Sequence, residues 1–515
     1  MLFSGESESS CCPRCGFPEP APLTAVATQS PCSEFLRSNH LPTDAILSNV
    51  RREIAIAENG VEEIDQQVCG LKHVLDGLES RRRELQNFVA THKQVLAPIR
   101  TLPSEILYEI FLQYVKHRQA GAWLLARVCR SWRETAISSP RLWNQIWIQT
   151  SSFGASISGA TIKSMLSLQL QRSAQAPLYI SLAQDRRLRE TQKVAILEAL
   201  FLAAHHWHEV CLDLQLEASN LGGLFLRLVA NELPASFPQL RRLVLYTNFF
   251  LEESTLSGVF RHLPLLEELS YFTGSPGGLF RPAPSLGLQG VALGQIKKLL
   301  IVGQRSRHNL SDMLGLLHMA PNLVELELKN YVLVDGPGDG ARIVHLPNLV
   351  SVTMSEIDDS FLRYIASPTL QRLTIKSAPR SRSDPIAGQA PILSFLSQPG
   401  LFLTSLELRP VLQSTERLLD ILAHTPHLST LKLYFPDFVD RLFVDALACG
   451  PGERDLVPHL VFLEIEGMFR RCGCDPLVDM LRSRSNPGPL RAVTIYGNRA
   501  VQRMPNLDGV EITLS

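Results

Sequence analysis

Apolar and polar positions change period several times along the chain. Residues 1 to about 45 hold no period: Ser, Pro, Thr and Ala dominate, and PRCGFPEPAPL and LPT interrupt any helix before it gains length, which predicts a mobile leader over 1–45. From Leu47 the pattern is a heptad. Leu47, Val50, Ile54, Ala57, Val61, Ile64, Val68, Leu71, Leu75 and Leu78 alternate spacings of three and four, and Leu85, Val89 and Leu96 keep the phase with Arg82 and His92 as polar interruptions. This predicts a long helix with a narrow apolar seam over 46–97. The seam has two readings: homodimer pairing through residues 47–96, or covering within the chain, either by a fold-back at Asn59–Gly60 or by packing on the next domain. In a parallel pair Glu53 would face Glu58 of the other copy, and Gly60, Gly70 and Gly77 each weaken the helix by about 1 kcal/mol relative to Ala.

Pro98 stops the helix, because its nitrogen carries no proton and its ring obstructs the preceding turn. A new unit is predicted over 98–148, with short helices in LPSEILYEIFLQYV, GAWLLARV and VCRSWRETAI and a closing SSPRLWNQIWI. Pro103 suits the first turn of its helix, and Glu105 places negative charge near that positive end. Ile106, Leu107, Ile110 and Phe111 form an apolar stripe broader than a unit this small can cover by itself. Leu107, Phe111 and Trp143 also suit the unit's own core.

Beyond residue 149 a strand of period two recurs behind a proline: FPQLRRLVL, LPLLEELSY, APNLVELEL, LPNLVSVTM, SPTLQRLTI, TPHLSTLKL, VPHLVFLEI and PGPLRAVTI, with weaker copies at GQIKKLLIV and LFLTSLEL. The shared form is P-x-L-x-x-L-x-L, at the spacing of leucine-rich repeats. LSDMLGLLHMA, TERLLDILAHT and PLVDMLRSR supply outer helices. The expectation is an irregular, curved α/β leucine-rich-repeat solenoid over 149–515. Irregularity follows from spacings that run from 21 residues (Leu349 to Leu370) to 33 (Leu370 to Leu403), and from the scarcity of the Asn that closes such repeats, present only at Asn248 and loosely at Asn330.

The segment 98–148 resembles the F-box family in its ordered pieces LPSEIL, IF, VCRSWR and PRLW. The Cys-containing leader, FLRSNHLPTD, the heptad helix and LAPIRTLPSEILYEIF together resemble the layout of mushroom-type fungal F-box proteins. The resemblance implies binding to the Skp-type adaptor of a cullin ubiquitin ligase through Leu102, Pro103, Ile106, Leu107, Ile110, Phe111, Val128, Cys129 and Trp132. Leu102 and Pro103 are the first candidates, since self-packing explains them least. The fold class is then mixed α/β: heptad helix, three-helix F-box module, repeat solenoid.

Composition narrows the function. Lys plus Arg and Asp plus Glu both number 50, so no bulk charge draws in nucleic acid or an anionic membrane. The amino terminus lacks the basic and apolar parts of a secretory signal, and no apolar run is long enough to span a bilayer. Ten scattered cysteines fit reduced thiols in the cytosol or nucleus. No phosphate loop, zinc-peptidase or esterase motif occurs, so neither an enzyme activity nor a cofactor is expected. In the cluster His205, His206 and His208, the last two alternate at the start of a predicted strand, which favours a repeat edge or surface over a metal or base role. Cys12, Cys15, Cys32 and His40 offer four zinc ligands, but the second pair is widely spaced and no helix presents it; Cys472 and Cys474 lack a second pair. The short basic runs RRRE and PRSRSD read as solvated faces. Two functions remain: a non-catalytic substrate receptor of an SCF-type ligase with an unknown protein target, or a non-degradative scaffold built from the same parts.

Overall fold

A computed structural model describes residues 33, 35–37, 40–116, 118, 121–148, 159–182, 190–213, 236–247, 259–260, 262–273, 291, 293–334, 343–356, 359–376, 391–409, 415–449, 455–468, 475–485, 488–496 and 510–514. Cys12, Cys15, Cys32, Asn248, the PRSRSD run, Cys472 and Cys474 lie outside them. The chain divides into two compact units, 1–103 and 104–515.

The first unit is built on one helix, α1 (Asp44–Val95), 52 residues long. It passes through Asn59 and Gly60 without a break, so the fold-back expected at that point does not occur. The reason is cooperativity: a glycine costs about 1 kcal/mol, whereas breaking the helix gives up several hydrogen bonds and requires a second costly nucleus. A one-turn 3-10 helix at Pro98–Arg100 follows. The seam residues Ile54, Val61, Ile64, Val68, Leu71, Leu75, Leu78, Leu85 and Val89 are all solvent-exposed.

The second unit opens with three helices, α2 (Ser104–Lys116), α3 (Gly121–Leu125) and α4 (Arg130–Ile137). Glu105 in the first turn of α2 and Lys116 in its last complement the helix dipole. Cys129 caps α4, its Sγ accepting the Trp132 N–H at 3.5 Å. Gly121 sits at a close approach, since a Cβ there would lie 3.3 Å from the backbone of Val115.

Strand β1 (Gln145–Ile148) follows directly, within the range expected for the helical module, and it pairs in parallel with β2 (Leu178–Leu182). The sheet therefore begins inside that module. It continues through β3 (Trp207–Asp213), β4 (Arg242–Thr247), β5 (Glu268–Thr273), β6 (Lys298–Asn309) and β7 (Glu325–Val334). A two-residue strand β8 (Val344–His345) pairs with β10 (Ile365–Ala366) outside the main sheet. The main sheet resumes with β9 (Ser351–Ser355), β11 (Arg372–Lys376), β12 (Ser405–Arg409), β13 (Thr430–Phe438), β14 (Phe462–Met468), β15 (Ala492–Tyr496) and β16 (Glu511–Leu514). These form one 14-stranded sheet whose neighbours follow chain order. A parallel sheet wound in sequence order is solenoid-like, each strand returning beside the previous one.

Two stacks of side chains set the core. Leu243, Leu269, Leu299, Leu326, Val352, Leu373, Leu406, Leu431, Leu463 and Val493 stand in register, as do Leu245, Tyr271, Ile301, Leu328, Met354, Ile375, Leu408, Leu433, Ile465 and Ile495. All are buried in one cluster with residues of α7 (Leu310–His318), α8 (Pro391–Leu396), α9 (Thr415–Ala423), α10 (Arg441–Leu447) and α11 (Asp475–Ser485). Two further helices, α5 (Gly159–Ser173) and α6 (Glu190–Phe201), join the same cluster through Ile162, Leu166, Ile196 and Leu200. Each buried leucine or isoleucine contributes about 1.5–3 kcal/mol.

The backbone stitches the same joints. From β4 to β14 of the main sheet, the carbonyl just ahead of the strand accepts two N–H groups from the next repeat: Glu267 takes those of Lys297 and Lys298, Lys297 those of Val324 and Glu325, and the pattern recurs through Val461 with Arg491 and Ala492. In place of a regular asparagine ladder, Asn348 donates to Asn322 and Thr369 to the carbonyls of Pro347 and Leu349. Asn330 adopts the left-handed conformation, φ 58°.

Arg484 on α11 is fully buried and donates to the carbonyls of Leu447, Leu456 and Val457. Val457 is held at φ 45°, a conformation that a β-branched residue rarely adopts. Replacing Arg484 with Met takes the side-chain donor from the Leu447 and Leu456 carbonyls and leaves Val457 with the Leu460 N–H alone, and should lower unfolding free energy by about 3 kcal/mol. Urea denaturation followed by circular dichroism measures this, and an unchanged midpoint would contradict the staple role.

Candidate functional site

The apolar stripe of α2 divides between two fates. Leu107, Phe111 and Val115 are buried, the Phe111 ring meeting that of Trp132 at a 58° tilt with centroids 4.8 Å apart. Leu107 and Phe111 thus lie in the unit's own core, the place that the sequence offered them beside partner contact. Ile106 and Ile110 stay 49% and 44% exposed, and Val128 60%. Pro103 and Cys129 are also exposed, while Leu102 and Trp132 are half-buried. The sequence missed two further exposed apolar side chains in these helices, Leu124 and Ile137.

What fixes this edge is the tryptophan-rich core beneath it. Trp143 is fully buried, its indole N–H donating to the Ala136 carbonyl at 2.7 Å, and it meets Trp123 edge-on at 5.0 Å. Arg172 of α5 lies over both rings, 4.4 Å from Trp143 and 5.0 Å from Trp123. Asn144 donates to the Pro177 carbonyl, and Gln169 to those of Trp143 and Gln145. The helices and the first strands are therefore locked together.

The open face of the sheet is a second candidate surface. Its outward residues form rows across the strands because the register is continuous. One row alternates in charge, with Arg242 between Glu209 (4.0 Å) and Glu268 (3.4 Å), and Lys298 between Glu268 (3.8 Å) and Glu325 (3.2 Å). Each exposed pair contributes little, but the alternation opposes any slip of one repeat against the next. Beside it lies a cleft of about 500 Å³ lined by Trp147, Tyr179, Cys211, Tyr246, Phe272 and Leu300 among others. Tyr246 and Phe272 stack at 4.4 Å. Burial raises the pKa of the Cys211 thiol, aided by Asp213 and opposed by Arg242, which favours its neutral form. These residues left one signal in the sequence, the odd positions of period-two strands, but nothing there says which of them share a pocket.

Towards the other end the face becomes a polar network. Glu464 accepts from Tyr434 and from Lys432 (2.8 Å), Arg409 lies 3.2 Å over the Tyr434 ring, and Glu407 bridges Lys376 and Arg409. Burial would raise the Glu464 pKa, but the bonds from Lys432 and Tyr434 outweigh it and hold the carboxyl below its usual range. The Tyr434 hydroxyl is pushed far up, first by burial and then by Glu464, and stays a donor.

The histidine cluster separates. His205 is exposed, His206 is buried and His208 is half-buried on β3; no group of three His, Cys, Asp or Glu among the described residues could hold a metal ion. His206 is buried in the turn that leads into β3, its ring 3.9 Å from that of His205. No helix among the described residues is long and apolar enough to cross a membrane.

Residues 99–149 match the family model described as F-box-like. No curated protein matches the chain. Among solved structures, the crystal structure of the Rad7 and Elc1 complex in yeast is similar over 74% of this chain and 93% of that chain, at 15% identity and a TM-score of 0.29. At that TM-score the two share no superposition from which a site could be carried over.

The buried His206 yields a pH prediction. Burial, and then His205, lower its pKa below the ordinary 6.5, so the unfolded chain takes up the proton more readily than the folded one. Stability should be full above that value and fall as the pH drops below about 6.5, until the folded histidine is itself protonated. Urea midpoints of wild type and His206→Phe, compared at neutral and mildly acidic pH, should show a smaller acid loss in the variant. Equal losses would contradict this assignment.

Proposed function

We propose that this chain is the substrate-recognition subunit of an SCF-type ubiquitin ligase. Its helices α2–α4 dock on the Skp-type adaptor through Ile106, Ile110, Val128 and Cys129, with Trp132 supporting them; Leu102 and Pro103, at the end of the first unit, are further contact candidates. The observation that carries the reading is the pairing of an F-box-like match at 99–149 with isoleucines on α2 that the unit's own core leaves exposed. Burying two such side chains supplies a few kcal/mol of association energy, typical of an interface anchor.

In this reading the sheet is a leucine-rich-repeat solenoid whose open face holds a protein target, with the aromatic cleft near the helices as the apolar anchor point. Catalysis is borrowed: holding a target beside a transfer enzyme makes the encounter effectively intramolecular and needs no reactive residue in this chain. The reduced thiols suit the cytosol or nucleus.

The full chain carrying Ile106→Glu and Ile110→Glu should keep its helical circular dichroism and bind the adaptor at least about 100-fold more weakly by calorimetry. Leu107→Glu should instead unfold the helices. Undiminished adaptor binding by the folded double variant, or no binding by wild type, would leave the scaffold as the better account.

A further inference from the structure

The long helix α1 exposes its apolar seam from Val61 to Val89, and the charges beside that seam specify how it is covered. We propose that α1 pairs with a second copy of this chain as an antiparallel coiled coil, centred where Leu75 of one copy meets Leu78 of the other. The inference is independent of adaptor binding.

The seam itself sets the layers. With that centre, Val61 faces His92, Val68 faces Leu85, Leu75 faces Leu78, Leu71 faces Arg82 and Ile64 faces Val89, each layer occurring twice by symmetry. Arg82 packs its stem on Leu71 and carries its charged end to solvent. His92 sits at the end of the overlap, where water reaches it.

The flanking charges decide orientation and register. In the proposed alignment Glu58 stands opposite Lys93 and Lys72 opposite Glu79, so symmetry gives four attractive contacts and no repulsive one. The other flank sets Gln67 against Phe88 and Val74 against Arg81, with no like charges. Sliding one heptad one way pairs Arg51 with Lys93, Asp65 with Glu79 and Lys72 with itself. Sliding the other way sets Glu79 against Glu79 and Arg81 against Arg81. A parallel pair gains no attractive contact and sets Glu53 against Glu58. Flanking charges contribute little individually but choose among alignments whose apolar layers are nearly equivalent.

The structure supplies two supports. The helix is continuous through the whole overlap. The ion pair within α1 is Arg81 with Glu84, and Glu58, Lys72, Glu79 and Lys93 enter none among the described residues. A dimer formed this way carries two sheet faces, which raises avidity for a target with repeated features.

Sedimentation equilibrium of the full chain at low micromolar concentration should give twice the mass of one chain. Lys72→Glu turns two attractions into repulsions and should weaken association by about tenfold or more, and Lys72→Glu with Glu79→Lys should restore it, helix content staying constant by circular dichroism. In a parallel dimer Lys72 faces Gln67 and Glu79 faces Val74, so the single reversal would change nothing. A monomeric wild type, or a dimer indifferent to Lys72→Glu, would overturn the proposal.

Discussion

Everything in the second unit depends on the joint between consecutive repeats, where two buried side chains stack on two others and a single carbonyl accepts two N–H groups from the next turn of chain. No repeat buries its apolar face alone, so each exists only because its neighbours do. The joint fixes register, and register turns the outward side chains of separate strands into rows. The charge ladder through Arg242 and Lys298, the aromatic cleft and the polar network around Glu464 are three consequences of one repeated contact.

The helices at the start of this unit are joined to the sheet by the same logic with different chemistry. Arg172 over Trp143 and Trp123, and Gln169 across the carbonyls of Trp143 and Gln145, make α5 a clamp between helices and strands. A rigid joint matters for the proposed receptor role, because borrowed catalysis works only if the target is held at a set position relative to the adaptor. The cleft floor includes Trp147, four residues beyond Trp143, and Lys116 from the end of α2. The proposed adaptor edge and the proposed target face thus share one short stretch of structure.

Much of this was legible in the sequence, and the exceptions have physical causes. The ten P-x-L-x-x-L-x-L copies and weaker relatives mark β4–β7, β9 and β11–β15, because a buried stack needs the same residue types at the same spacing each time. Strands β1–β3 carry no such marker: Gln145–Ile148 reads as the close of a helical module, and only its pairing with Leu178–Leu182, more than 30 residues later, makes it a strand. Neighbouring apolar residues on α2 were inseparable, since Ile106 and Leu107 differ by only about 100° around the helix and the packing of α4 decides which is covered. Arg484 reads as a solvated residue of an amphipathic helix, yet carbonyls from two other segments converge on it. Long-range partners of this kind leave no local pattern.

The proposed adaptor surface is the edge left exposed by α2 and the start of α4. Hydrogen–deuterium exchange of the full chain with and without the Skp-type adaptor tests this. Slowed exchange is expected over the peptides containing Ile106, Ile110 and Val128 to Trp132, with β4–β15 unchanged. Protection confined to the sheet, or none along α2, would contradict it.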